Sequence, residues 1–273
     1  MTDFIDAELL FLDCYDGKPT AYGRQREKDN LPLVKHTVRI ENLRGSQEVL
    51  CLDKQGFTVV KHRSDTEDFL SQDSLNRTYL PELEILIREL TGAQHTVALG
   101  SSVVRRSERS TGYLAPGTSV PGRFVHCDYS QGPDGSLYWL NRVLEPHEAA
   151  SRQHRRYAIY NVWRALSAPP HDSPIALCDV QSLKPEDCVA ANCVCDPEGE
   201  PEWSFENTLY HYGAHQRWAH ISDLQRDEAL IFKGFDSDSD RAQGVPHAAF
   251  NDPNSPVNGP ARESIDERVI AFF

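Results

Sequence analysis

"YAIYNVWRAL", residues 157–166, sets the reading of the whole chain. It is rich in aromatic and β-branched residues, which suit the pleated, half-buried surface of a sheet, so it is expected to be a strand. Along a strand, alternate side chains share a face. Asn161 and Trp163 therefore lie on one side, Tyr160 and Arg164 on the other. Alternation alone leaves open which side is inside. Downstream, "PIALCDV" (174–180), "TLYHY" (208–212), "QRWAHI" (216–221), "EALIFKGF" (228–235) and "ERVIAFF" (267–273) repeat the pattern. Upstream, "HTVALGSSVVRRS" (95–107) reads as a strand, and residues 36–62 read as a small meander broken at "NLRGS" and "DKQG". Two segments look helical. Residues 78–91 place Leu80, Leu83, Leu86, Ile87 and Leu90 at helical spacing before Gly92, and 145–156 is charged and helix-like. Many short strands with helices mainly in the first half predict a mainly β fold, a sandwich or jelly roll with supporting helices. No boundary divides the chain.

The 273 residues suffice for one large core. Hydrophobic residues make up 39% and charged residues 25%, which is globular composition. The net charge of −13 repels phosphate backbones, so nucleic acid is not an expected partner. No apolar run has the length of a membrane span, and the acidic start lacks the basic residues of a secretory signal. A soluble, cytoplasmic protein is expected, with its seven cysteines reduced. The spacing of "CVAANCVC" fits no common zinc knuckle.

Chemistry is concentrated at "RFVHCDYS", residues 123–130. If this is a strand, His126 and Asp128 project together while Cys127 points away. Imidazole nitrogen and carboxylate oxygen suit a divalent transition metal, and His247 in "GVPHAAFNDP" offers a third ligand. Farther on, "RESIDER" puts Arg262 and Ser264 on one face, with Asp266 and Arg268 continuing it. A guanidinium beside a hydroxyl makes a clamp for the distal carboxylate of a dicarboxylic acid.

With these parts in order, the sequence resembles the Fe(II)/2-oxoglutarate-dependent dioxygenases. More narrowly, it is similar to the hydroxylase/desaturase family of fungal and bacterial secondary metabolism, which includes gibberellin desaturases and a cephamycin-pathway methoxylation protein. The resemblance runs from about residue 36 through "LDKQGFTVVKH", "VHCDYS", "YAIYNVWRAL", "PIALCDVQSLKPED", "FKGFDSDSDRA", "PHAAF" and "ARESIDERVIAF". "PHAAF" departs from it, with alanine where the family often has a hydroxyl residue after the histidine. The resemblance implies a double-stranded β-helix core. It implies that His126, Asp128 and His247 bind Fe(II), and that Arg262, with Ser264, binds 2-oxoglutarate. It implies an oxygenase that uses O2 to hydroxylate or desaturate a small natural product, with 2-oxoglutarate going to succinate. The expected layout is one domain over 1–273, with a meander and helix (about 36–92) packed on a jelly-roll core (about 93–273).

Other residues are weighed beside these. Asn161 is a candidate to bond the cosubstrate, and Arg164 and Arg268 are alternatives to Arg262. Tyr129, Trp163 and Phe250 are expected to wall off water. Arg105 and Arg106 read as an exposed charge pair rather than ligands of an acidic substrate. His211 and His215 have zinc spacing on a helix, but Gly213 and the aromatic alternation favour a strand and turn that separate them. "DSDSDRA" (236–242) lacks the glycine and glutamate of a calcium loop and reads as a solvated loop or lid. Two rival functions are a zinc hydrolase using the same His/Asp/His set, which has no need of Arg262, and a non-catalytic jelly-roll binder.

Overall fold

The computed structural model describes residues 3–111, 118–145, 148, 155–196, 199 and 201–273. Tyr157–Ala165 is a strand buried along its whole length, as its composition predicts. It sits inside a seven-stranded sheet, between Glu228–Asp236 and Glu263–Phe272, antiparallel to both. Phe57–Lys61 flanks this trio on one side and Val103–Arg106 with Thr118–Ser119 on the other, while His95–Ala98 also pairs with Glu263–Phe272. The single strand expected over 95–107 is thus two, broken at Gly100, whose φ of 68° favours glycine.

The second sheet has nine strands. In spatial order they are Asp3–Leu12, Leu33–Asn42, Trp218–His220, Ile175–Cys178, His247–Ala249, His126–Cys127, Trp203–Tyr210, Cys188–Cys195 and Thr20–Tyr22. Two sheet faces meet over a shared core in which Trp163, Leu230 and Phe232 of one pack with Ile175, Leu177 and Ala219 of the other. Residues 36–62 form no meander. Leu33–Asn42 pairs with Asp3–Leu12 in the larger sheet, whereas Phe57–Lys61 pairs with Glu228–Asp236 in the smaller. The alternation of Ile5, Ala7, Leu9 and Phe11, all buried, explains why the first strand pairs so early.

The helix Leu80–Thr91 ends as expected at Gly92, which is left-handed (φ 71°) and returns its N–H to the Arg88 carbonyl. Its Leu83 and Ile87, with Tyr79, cover the outer face of the seven-stranded sheet against Tyr160, Val162, Ile265, Val269 and Ala271. That cover settles the alternation question. Tyr160 and Arg164 face the helix side, so Asn161 and Trp163 face the other sheet. A second helix, Ser136–Val143, was not anticipated. Most of the helical segment expected at 145–156 lies outside the described residues.

Candidate active site

His126 and His247 stand directly opposite each other on adjacent antiparallel strands. Their rings approach to 4.4 Å between centroids. Each ring is tied back through Nδ1 to the carbonyl two residues earlier, His126 to Phe124 (2.9 Å) and His247 to Val245 (3.0 Å). Such a bond fixes the tautomer and turns Nε2 toward the shared space. Burial, aided by the neighbouring His126, pushes the His247 pKa down to about 3, so its imidazole is neutral and ready to ligate. Asp128 follows at the bend that ends the short strand, with Oδ1 3.6 Å from His126 Nε2. Among the described residues these three form one group, with ligand atoms all within 4.8 Å of one another. Two imidazoles and a carboxylate at this spacing fit a divalent transition metal.

The other oxygen of Asp128 is held from the opposite sheet. Asn161 Nδ2 donates to Oδ2 at 2.7 Å, and Arg268 donates from Nε at 3.1 Å and Nη2 at 3.0 Å. Three donors on one oxygen leave Oδ1 to face the histidines. Burial alone would raise the Asp128 pKa, but the Arg268 guanidinium foremost outweighs it and the carboxyl is held well below its usual range. Arg268 also pairs with Asp266 (2.8 Å), which in turn takes Arg105 Nε at 3.0 Å.

The two histidines, Asn161, Arg268, Asp266 and Arg105 line a cavity of about 380 Å³, its open mouth included, together with Gly122, Trp163, Ile175, Phe232, Ala249 and Arg262. Arg262 is buried, donating from Nε to Ser264 Oγ (3.0 Å) and from Nη1 to the Ser173 carbonyl (2.8 Å), with the Trp163 ring 5.2 Å from its guanidinium carbon. Among the described residues its guanidinium forms no ion pair. Burial, and behind it the Arg105 guanidinium, push its pKa down to about 9. A buried cation without a counter-ion is an invitation to an anion.

Not every candidate arrives here. Arg164 is on the helix side of its strand, where Nη1 donates to the carbonyls of His62 (2.6 Å) and Arg226 (2.8 Å), so it does not reach the cavity. Asn161 does line the cavity, but with its amide nitrogen on Asp128 it offers the unpartnered Oδ1, an acceptor. 2-Oxoglutarate at neutral pH carries only acceptors, so that atom suits a donor instead. Of the expected aromatic wall only Trp163 lines the cavity. Tyr129 and Phe250 pack into other clusters, and Phe232 takes their place. Arg105, read as exposed, turns into the cavity because Asp266 on the neighbouring strand pairs with it. His211 bonds the Leu12 carbonyl and His215 bonds Asp187, which keeps them apart. In "DSDSDRA" the first aspartate is no loop residue. Asp236 is buried and paired with Arg156 and Lys233.

The chain matches, over residues 9–272, the family described as an oxidoreductase/YMDC permease-like domain. It is 28% identical to the Fe(II)/2-oxoglutarate-dependent dioxygenase nvfI of Aspergillus novofumigatus, over 98% of this chain and 96% of that protein. It is also 28% identical to the hydroxylase/desaturase CTB9 of Cercospora beticola, over 87% of this chain and 76% of that protein. The chain belongs to the Fe(II)/2-oxoglutarate-dependent dioxygenases. The solved structure of the iron and alpha-ketoglutarate-dependent endoperoxidase NvfI shares the fold, with a TM-score of 0.85 at 24% identity over 98% of each chain. The two sheets therefore form a jelly roll of the same kind. Dioxygenases of this family work with Fe(II), 2-oxoglutarate and O2 on small molecules, and the relatives support neither the hydrolase nor the non-catalytic binder. No helix among the described residues is long and apolar enough to cross a membrane.

Proposed function

We propose that His126, Asp128 and His247 hold the ferrous ion of this dioxygenase, that Arg262 with Ser264 grips the distal carboxylate of 2-oxoglutarate, and that the enzyme hydroxylates or desaturates a small, largely apolar natural product. The observation that carries the assignment is Arg262. It is a buried guanidinium with no ion pair among the described residues, opening on the same cavity as His126 and His247. Ser264 orients its Nε and the Ser173 carbonyl holds Nη1. A carboxylate arriving there meets a donor already desolvated and positioned, which favours a strong, charge-assisted contact.

The ligand set would supply two imidazole nitrogens and one carboxylate oxygen to the metal, and an ion held by these three would have positions to spare for the cosubstrate and O2. Arg268 and Asn161 keep Asp128 to a single ligating oxygen. Trp163, Ile175, Phe232 and Ala249 give the cavity apolar walls that exclude water. Iron with 2-oxoglutarate and O2 supplies the oxidant for an unactivated C–H bond, with succinate and carbon dioxide released. The protein's part is to place that bond; whether an alcohol or an alkene results follows from its placement.

A net charge of −13 disfavours nucleic acid and suits a small-molecule enzyme, for which a cytoplasmic location is proposed. We infer one domain over 1–273, since the segment at 36–92, expected to pack on the core, is divided between both sheets and the helix.

The test is anaerobic titration of Fe(II) and 2-oxoglutarate while watching for their visible charge-transfer band. The native enzyme is expected to form it. His126→Ala, Asp128→Ala and His247→Ala should each lose the band and most of the bound iron, the aspartate variant most severely because it removes the only anionic ligand. Full iron content and turnover in all three would refute the ligand assignment.

A further inference from the structure

The rows of side chains beyond the metal ligands point to the substrate. Leu209 pairs directly with His126, so the two share a sheet face. Two residues on from His126 lies Asp128. Two residues back from Leu209 on the antiparallel neighbour lies Asn207, which is therefore level with Asp128 on that face. Continuing outward, the same face carries Phe205 and Trp203. The helix Ser136–Val143 lays Tyr138 and Trp139 against them.

These four rings are half-buried, and three of them, Tyr138, Trp203 and Phe205, lie nearly parallel. Tyr138 and Trp203 lie 11° from coplanar, Tyr138 and Phe205 20°, and Trp203 and Phe205 30°. Trp139 stands edge-on to Trp203 and Phe205, and also meets Tyr129, the residue after Asp128, at 6.5 Å. Arg142 caps the Trp203 face at 4.6 Å. A cluster serving only to pin a helix to a sheet would satisfy its polar atoms. This one does not. Asn207 is 5% exposed, and its Oδ1 is buried with no partner; Trp139 Nε1 is buried with none either. Buried groups of this kind are ordinarily bonded, and leaving them bare is costly unless something else completes them.

We propose that this wall is the substrate-recognition site, and that it takes a flat, apolar carbon skeleton bearing a hydroxyl group. The skeleton stacks on Tyr138, Trp203 and Phe205. A hydroxyl carries both a donor and an acceptor, so it can give its hydrogen to Asn207 Oδ1 or accept from Trp139 Nε1, each of which lacks a partner. The wall then continues the row His126, Asp128 outward, so a molecule lying on it presents its inner end to the metal. This rests on the placement of iron at His126, Asp128 and His247.

The experiment uses the enzyme loaded with Fe(II) and 2-oxoglutarate without oxygen, and two probes of equal flat area, 2-naphthol and naphthalene, followed by equilibrium dialysis. The native enzyme should hold 2-naphthol about 5- to 10-fold more tightly, the worth of a net hydrogen bond. Asn207→Leu should erase that preference while leaving naphthalene binding and the charge-transfer band intact. Trp203→Ala should weaken both probes by about 3- to 10-fold, the worth of an aromatic contact. A purely structural role for the cluster would lower thermal stability in these variants without moving the ratio between probes. Equal binding of the two probes by native enzyme, an unchanged preference in Asn207→Leu, or no probe binding in enzyme that shows the band would each overturn the proposal. Absence of the band in native enzyme would instead refute the metal-site reading beneath it. Should Trp203→Ala fail to fold, the asparagine variant decides alone.

Discussion

Arg262→Ala is the perturbation with the most legible consequence. In the free enzyme the side chain is 3% exposed and, among the described residues, forms no ion pair, being steadied by Ser264 and the Ser173 carbonyl. The distal carboxylate of 2-oxoglutarate is proposed to supply the missing anion. Losing a charge-assisted contact in such a desolvated place costs about 2–4 kcal/mol. At a factor of ten per 1.4 kcal/mol, the apparent affinity for 2-oxoglutarate should fall about 30- to 1000-fold. The metal ligands do not touch this side chain, so iron affinity should be nearly unchanged. The assay is anaerobic titration of 2-oxoglutarate into the Fe(II) enzyme, read at the charge-transfer band, beside a direct measurement of iron content. Arg262→Lys should recover part of the loss, since an ammonium keeps the charge but not the fork. A shift of less than about threefold in Arg262→Ala would refute the reasoning, and Arg105, which lines the same cavity, would then be the residue to examine.

Arg268→Met removes the counter-ion of Asp128 and one of the two arginines paired with Asp266, and should destabilise the iron-free protein by about 3–5 kcal/mol. Added Fe(II) should restore part of this by neutralising Asp128, so urea unfolding with and without the metal is the measurement, and equal loss in both would contradict it. Glu228 is gripped by both Nη atoms of Arg44 at 2.9 Å each; burial opposes ionisation, but Arg44 and the Gln225 N–H outweigh it and bring the pKa down to about 2. Because the folded value lies below the unfolded one of about 4.5, this stabilisation is whole above pH 4.5 and disappears as pH falls toward 2. It amounts to about 2–3 kcal/mol, with Arg44 partly screened by solvent. Arg44→Met should therefore flatten the acid limb of stability in that window, and an unchanged limb would sink the assignment.

Much of this was legible beforehand because it depends on local pattern. The period of two in "YAIYNVWRAL" and "RESIDER" put Asn161 with Trp163 and Arg262 with Ser264, and the pair His126 and Asp128 needed only alternation. What escaped depends on distant partners. Arg164 looked equivalent to Asn161 until the helix Leu80–Thr91 covered its face. Arg105 reads as surface charge in any short window, and only the neighbouring strand carrying Asp266 turns it inward. The segment 36–62 has strand composition throughout, yet nothing local says that its two strands belong to different sheets. The helix at Ser136–Val143 is short and follows a glycine with no capping side chain, so it announces itself weakly.

Asp128 is the point at which the two sheets touch chemically. It belongs to the larger one, while Asn161 and Arg268 reach it from central strands of the smaller. In the proposed complex 2-oxoglutarate repeats the pattern, with one end at ligands of the larger sheet and the other at Arg262 beside the smaller sheet's Ser264. In that complex the sandwich would be riveted twice across its gap, once by its own carboxylate and once by a molecule it consumes. Each turnover would draw the second rivet and drive in a new one, so the spacing between the layers is gauged against the length of a five-carbon diacid every time the enzyme reloads.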